Sequence, residues 1–178
     1  MTRYVSLLRG VNLGPTTQVA MPDLKRVYLD LGLDSVTTYI RSGNVVFASR
    51  ASPERLRTRI EAAIARALSM DVEVVIRTHG EMTDVLARNP FPEADPARLS
   101  VVFLGAAVPD DLTERLGSAD FGTDRYAADG REIYLHLPNG FGRSKLATRM
   151  STLKAPVVAT VRNWRTVTRL AEMSRPGG

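Results

Sequence analysis

Apolar and polar positions alternate along the chain in two periods, one of strands and one of helices. Residues 3–8 form an apolar strand, and residues 21–31 place Met21, Leu24, Val27, Tyr28 and Leu31 at helical spacing. Residues 36–40 and 45–48 are β-rich runs on either side of Arg41-Ser42-Gly43-Asn44, whose glycine predicts a hairpin turn. Ser52 then caps a predicted helix that opens at Pro53 and carries Leu56, Ile60, Ala63, Ile64, Ala67 and Leu68 on one face. Residues 71–76 supply a closing strand. The resulting order, β-α-β-β-α-β, is that of the split βαβ or ferredoxin-like unit.

The second half starts again after a short helix with Thr78 and Glu81 at capping-box spacing and Met82, Val85 and Leu86 on one side. Asn89-Pro90-Phe91-Pro92 ends that helix, because proline drives the preceding residue out of the α region. A strand over 99–104 follows, then a helix opening at Pro109 with Leu112 and Leu116 inward. Strands over 125–128 and 132–137 flank Asp129-Gly130, a dipeptide that predicts a type I′ hairpin. Residues 144–153 read as a helix and 156–161 as a strand, so β-α-β-β-α-β recurs. The expected architecture is α+β: a tandem duplication of two ferredoxin-like units, 1–78 and 99–178, joined by a helix and loop over 79–98. A final helix over 163–173, capped by Asn163 with Trp164, Val167, Leu170 and Ala171 inward, belongs with the second unit. The last five residues are expected to be disordered.

Composition narrows the class. The chain has 178 residues, 44% of them hydrophobic and 24% charged, enough for a core without staples, and it contains no apolar run long enough to span a membrane. Zero cysteines exclude disulfides, thiolate catalysis and cysteine-ligated zinc. The basic, apolar start breaks at Arg9-Gly10, too early for a secretory signal, so a cytoplasmic location is expected. The net charge of +5 is unevenly spread. From Phe141 onward eight basic residues face one acid, Glu172, while the remainder is slightly acidic. Charge of one sign concentrates its opposite, so an anionic partner near the C-terminal segment is expected; the plain alternative is a solvated helical face.

Three segments could hold a ligand. Arg9-Gly10-Val11-Asn12-Leu13-Gly14 lies between the first strand and helix, where glycines let backbone amides face an anion and Arg9 and Asn12 would point at it; otherwise it is a plain connecting loop. Pro138-Asn139-Gly140-Phe141-Gly142-Arg143-Ser144-Lys145-Leu146 runs through two glycines into a basic helix start. There the amides of the Gly140–Gly142 turn, the Ser144 hydroxyl and Lys145 would converge on a phosphate or carboxylate, unless Ser144 is simply an N-cap. Neither segment has dinucleotide-fingerprint or Walker A spacing. Thr160-Val161-Arg162-Asn163-Trp164-Arg165-Thr166 sets the single tryptophan between arginines, and Arg162, Arg165 and Arg169 share a helical face. It reads either as a stacking and phosphate-contact cluster or as a tryptophan anchor with arginine stems around it, the arginines leaning to binding and Trp164 to structure.

Leu8-Arg9-Gly10-Val11-Asn12-Leu13-Gly14, Tyr39-Ile40-Arg41-Ser42-Gly43-Asn44-Val45-Val46-Phe47, Ser144-Lys145-Leu146 and Thr160-Val161-Arg162-Asn163-Trp164-Arg165-Thr166 occur in this order over essentially the whole chain. Together they resemble the domain of unknown function family 1697. The resemblance implies tandem ferredoxin-like units and brings no activity or catalytic residue. The chain departs from the family pattern after Gly14, where Pro15-Thr16-Thr17-Gln18 replaces a second glycine and basic residues.

Catalysis would need a poised acid or base, and the residues offer little. There are two histidines, His79 at the seam between the units and His136 within a strand; Asp110-Asp111 diverge on a helix and suit its N-terminus. No Ser-His-Asp order or metal-ligand spacing occurs, and no cofactor or metal is expected. The leading expectation is a non-catalytic binder of an anionic ligand, nucleic acid first and a phosphorylated small molecule second, with no membrane partner. The alternatives are a small-molecule enzyme or sensor with a pocket between the units lined by Arg9, Asn12, Ser42 and Asn44 beside Gly43, or a scaffold for a protein partner or second copy.

Overall fold

A computed structural model describes residues 1–152 and 157–177, leaving aside the side chains of residues 151 and 152. The chain divides into two compact units, Met1–Asp84 with Arg169–Gly178, and Val85–Thr168. Among the described residues there are eight strands in two four-stranded antiparallel sheets, and six α-helices: an α+β protein.

The first unit contains β1 (Thr2–Leu8), α1 (Met21–Asp30), β2 (Asp34–Tyr39), β3 (Asn44–Ser49), α2 (Pro53–Leu68), β4 (Val74–Thr78) and most of α3 (His79–Ala87). Its sheet runs β2-β3-β1-β4, with Val5 opposite Val46 on one side and Arg77 on the other. Tyr4, Leu8, Phe47 and Ile76 form one core with Leu24, Val27 and Tyr28 of α1 and Leu56, Ile60 and Ile64 of α2. Each such side chain removed from water contributes about 1.5–3 kcal/mol. Phe47 stacks on Tyr4 at 5.7 Å and meets Tyr28 edge-on at 5.5 Å. The opposite register positions, Val5, Leu7, Val46 and Val75, are buried too, which explains why β3 and β4 read as unbroken apolar runs. Ser52 caps α2 by accepting from the Arg55 amide, as its spacing predicts.

The second unit contains β5 (Leu99–Leu104), α4 (Asp110–Gly117), β6 (Arg125–Asp129), β7 (Glu132–His136), α5 (Lys145–Thr152), β8 (Ala159–Asn163) and the start of α6 (Trp164–Met173). Its sheet runs β6-β7-β5-β8. Leu112 and Leu116 of α4 and Leu146 and Ala147 of α5 pack on Val102, Leu104, Ile133 and Leu135.

Several boundaries differ from the sequence reading. The closing strand of the first unit begins at Val74 rather than 71, because pairing with β1 starts at Leu8↔Val74 while Val72 enters the core ahead of the ladder. The β6–β7 turn is centred on Gly130 and Arg131, and only Gly130 has positive φ; that is the signature of a type II′ turn, not I′. The last helix is shared between the units rather than belonging wholly to the second. Its end is tied to the first unit by Arg3, which donates to the Met173 carbonyl, and by His79 against the Ser174 hydroxyl. Ser174 is fully buried, so the tail is ordered at its start. Residue 153 of the predicted fifth helix, residue 156 of the predicted last strand and Gly178 lie outside the described residues.

Candidate functional sites

The first loop and the β2–β3 turn come together, but most of their polar side chains bond inward. Asn12, at φ +57°, donates through Nδ2 to the Val19 and Arg41 carbonyls and accepts the Val19 amide on Oδ1. Its carboxamide closes its own loop and fastens it to the turn, instead of pointing at a ligand. Arg9 is held by Glu73. Asn44 is fully buried and donates to the Tyr39 carbonyl and the Ser42 hydroxyl, shaping the turn from within. Gly43, at φ +72°, accepts the Leu8 amide on its carbonyl. Around this scaffold lies a cleft of about 510 Å³ lined by Val11, Asn12, Leu13, Gln18, Ile40, Arg41 and Ser42. Leu13 and Ile40 carry no periodic signal in the sequence, because isolated exposed apolar residues follow neither the strand nor the helix period, and Arg41 stands there only as part of a turn.

The Gly140–Lys145 segment is a 3-10 turn leading into α5, and the anion position at the helix start is already filled. Asp124, 7% exposed, accepts from the Ser144 hydroxyl at 2.8 Å and from the Leu146 amide at 3.4 Å. Ser144 in turn accepts the Ala147 amide. The amides of Gly140, Arg143 and Ser144 donate to carbonyls within the turn. Of the groups expected to converge on an external anion, the Ser144 hydroxyl and the Gly140 amide bond inward, to Asp124 and to the Leu137 carbonyl, while Gly142 and Lys145 line the cleft beside them. Asp124 lies 20 positions from Ser144 in an unpatterned loop, and nothing in the sequence marks it.

A different set of groups does open outward here. A cleft of about 440 Å³ is lined by Asp120, Phe121, Gly142, Arg143, Ser144, Lys145, Thr148 and Arg149. Lys145 and Arg149 are one turn apart on the exposed face of α5, and Arg143 approaches from the 3-10 turn. Arg143 and Lys145 have no carboxylate partner among the described residues, and Asp120 is the cleft's one acid, accepting the Gly122 amide.

The third segment separates. Arg162 is 7% exposed on β8, donates to Thr160 Oγ1 and the Val161 carbonyl, and burial pushes its guanidinium down to about 10. Asn163 caps α6 by accepting the Thr166 amide, Trp164 is half-buried, and Arg165 is exposed. Arg169 pairs with Glu172. None of these residues lines either cleft. His136 lies against the Phe91 ring. Among the described residues, no three His, Cys, Asp or Glu side chains group as a metal site, and no helix is long and apolar enough to cross a membrane.

These features define an α+β protein whose described residues form a cationic cleft and a cleft of mixed apolar and polar lining with a single guanidinium. Residues 1–134 match the family described as "Protein of unknown function (DUF1697)", and the chain belongs to that family. Its fold is similar to the structure of conserved bacterial protein SP0830 from Streptococcus pneumoniae, at 22% identity and a TM-score of 0.82, covering 98% of this chain and 99% of that one. No curated protein matches the chain.

Proposed function

We propose that the protein is a non-catalytic binder of an anionic, phosphate-bearing ligand. The observation that carries this reading is the meeting of Arg143, Lys145 and Arg149 in one cleft against a single acid. Cations in a concavity focus their field and raise the local concentration of an anion. Phe121 adds an apolar wall to the same lining, while the Thr148 hydroxyl donates back to the Ser144 carbonyl. The volume falls within the range of about 300–1,000 Å³ typical of small-ligand sites. A phosphorylated small molecule is therefore the first ligand and nucleic acid the second, reversing the order suggested by charge counting. The reversal rests on Arg162, which is buried, and Arg169, which is paired, so neither extends the cleft into a strip.

The experiment is a titration with inorganic phosphate, nucleoside phosphates and a single-stranded RNA oligonucleotide, each at low and at physiological salt. Small phosphorylated probes are expected to bind, and Lys145→Ala or Arg149→Ala to weaken them about tenfold, the worth of one charge-assisted hydrogen bond. RNA binding with a steep salt slope and no small-probe binding would favour the polyanion; binding of neither would end the anionic reading.

Each half also reads as a ferredoxin-like unit, and the pair as the product of a duplication, with boundaries near 78 and 98. Matching element order supports this, as do the sheet orders β2-β3-β1-β4 and β6-β7-β5-β8. So does one residue-level correspondence. Arg77 pairs with Val5 and Arg162 with Val101; each donates to the carbonyl of its preceding residue, and each is followed by the residue that caps the next helix. A chain without cysteine suits the cytoplasm, where we place it.

A further inference from the structure

We propose that the cleft formed by the first loop and the β2–β3 turn is a second binding site, for a small carboxylate with an apolar body. Leu13 and Ile40 would hold the body and Arg41 the carboxylate; the proposal is independent of the phosphate reading. Leu13 is 84% and Ile40 49% exposed, and although they stand on separate loops both line this one cleft. A lone exposed apolar side chain is ordinary, but two on one concavity mark a contact surface. Ile40 also holds φ +45°, a left-handed conformation that a β-branched residue resists and glycine or asparagine would accept without strain. The Asn12 carboxamide pins both loops, so the cleft is preformed rather than assembled by its ligand.

The charge selects the head group. Arg41 is exposed, and its contact is with the Gln18 carboxamide oxygen at 3.4 Å; no acid pairs with it among the described residues. Arg9, on the first loop, is held by Glu73. One guanidinium fork matches one carboxylate, whereas a phosphate dianion would leave a charge uncompensated beside apolar walls. The volume of about 510 Å³ suits a molecule of that kind.

The test follows the methyl resonances of Leu13 and Ile40 while the full chain is titrated with octanoate and 4-phenylbutyrate, and in parallel with their primary amides. Saturable shifts at both residues are expected, with the amides at least tenfold weaker. Arg41→Gln should reduce the carboxylates to the level of the amides. Ile40→Asn, which suits the local backbone and so preserves the fold, should weaken every probe. Lys145→Ala should change none of this, separating the result from the phosphate site. Equal binding of acid and amide, displacement by inorganic phosphate, or shifts that appear only as protein concentration rises would each overturn the proposal.

Discussion

Gly43 meets Val11 so closely that a methyl group at position 43 would overlap the Val11 side chain and lie 2.8 Å from Cβ of Leu8. The turn after β2 is thereby pressed onto the end of β1 and the start of the first loop, at φ +72°. Gly43→Ala should cost about 2–4 kcal/mol, the left-handed backbone and the overlap both contributing. Gly10 has nearly the same φ, +75°, with nothing within 4 Å, so Gly10→Ala should cost only about 1–2 kcal/mol. Urea unfolding of both variants separates strain from collision; equal losses would mean that the turn does not press on Val11.

Tyr28 and Ser6 share a buried hydrogen bond of 2.6 Å. Burial pushes the Tyr28 phenol well above the usual tyrosine range, the charge of Glu61 adding to this and the Ser6 bond opposing it. A group whose folded value is raised keeps its full contribution below the unfolded value near 10 and loses it as pH climbs beyond. Stability should therefore fall above about pH 10 more steeply in the native chain than in Tyr28→Phe. That variant is expected to be less stable at neutral pH by about 1–3 kcal/mol, since the Ser6 hydroxyl is left buried without its partner. Chemical denaturation at pH 8 and at pH 11 reads both effects.

The element order was legible because both periods are strong: the 3.6-residue face of α2 and the apolar runs of β3, β4 and β5 leave little choice of structure. Boundaries were less so where tertiary burial rather than pairing explains an apolar residue, as at Val72. The candidate sites were legible as places but not as chemistry. Asn12, Asn44 and Ser144 are short polar side chains, and whether such a group bonds inward or outward depends on which carbonyls and amides the fold brings to it. For Asn12 these are at Val19 and Arg41, and for Ser144 the partner is Asp124, 20 positions away. The outward groups Leu13, Ile40 and Arg41 follow no spacing rule, and their common cleft emerges only once the loops are placed.

Asp124 should behave as part of the α5 start rather than of a ligand site. Removing its carboxylate in Asp124→Ala leaves the Ser144 hydroxyl and the Leu146 amide buried without an acceptor, at about 2–3 kcal/mol. Ser144→Ala should cost less, about 1 kcal/mol, the usual worth of an N-cap. The double variant should cost less than the sum of the two, because the residues share one network. Simple additivity in thermal or urea unfolding would show that the two groups act separately.

Arg162 and Lys145 should part company in opposite directions. The Arg162 stem is packed within the β8 side of its sheet and its guanidinium is bonded to Thr160 and Val161, so Arg162→Ala removes buried contacts and leaves polar groups without partners. A loss of about 2–4 kcal/mol of stability is expected, with phosphate-probe affinity within about twofold of native once the variant is measured well below its melting temperature. Lys145 is exposed at the start of α5 and lines the cationic cleft, so Lys145→Ala should leave stability within about 0.5 kcal/mol while weakening the same probes about tenfold. The pair of measurements, unfolding and probe titration on each variant, decides where the C-terminal positive charge acts. If Arg162→Ala abolished probe binding while the fold held, the cationic cleft at the start of α5 would be the wrong place for the anion.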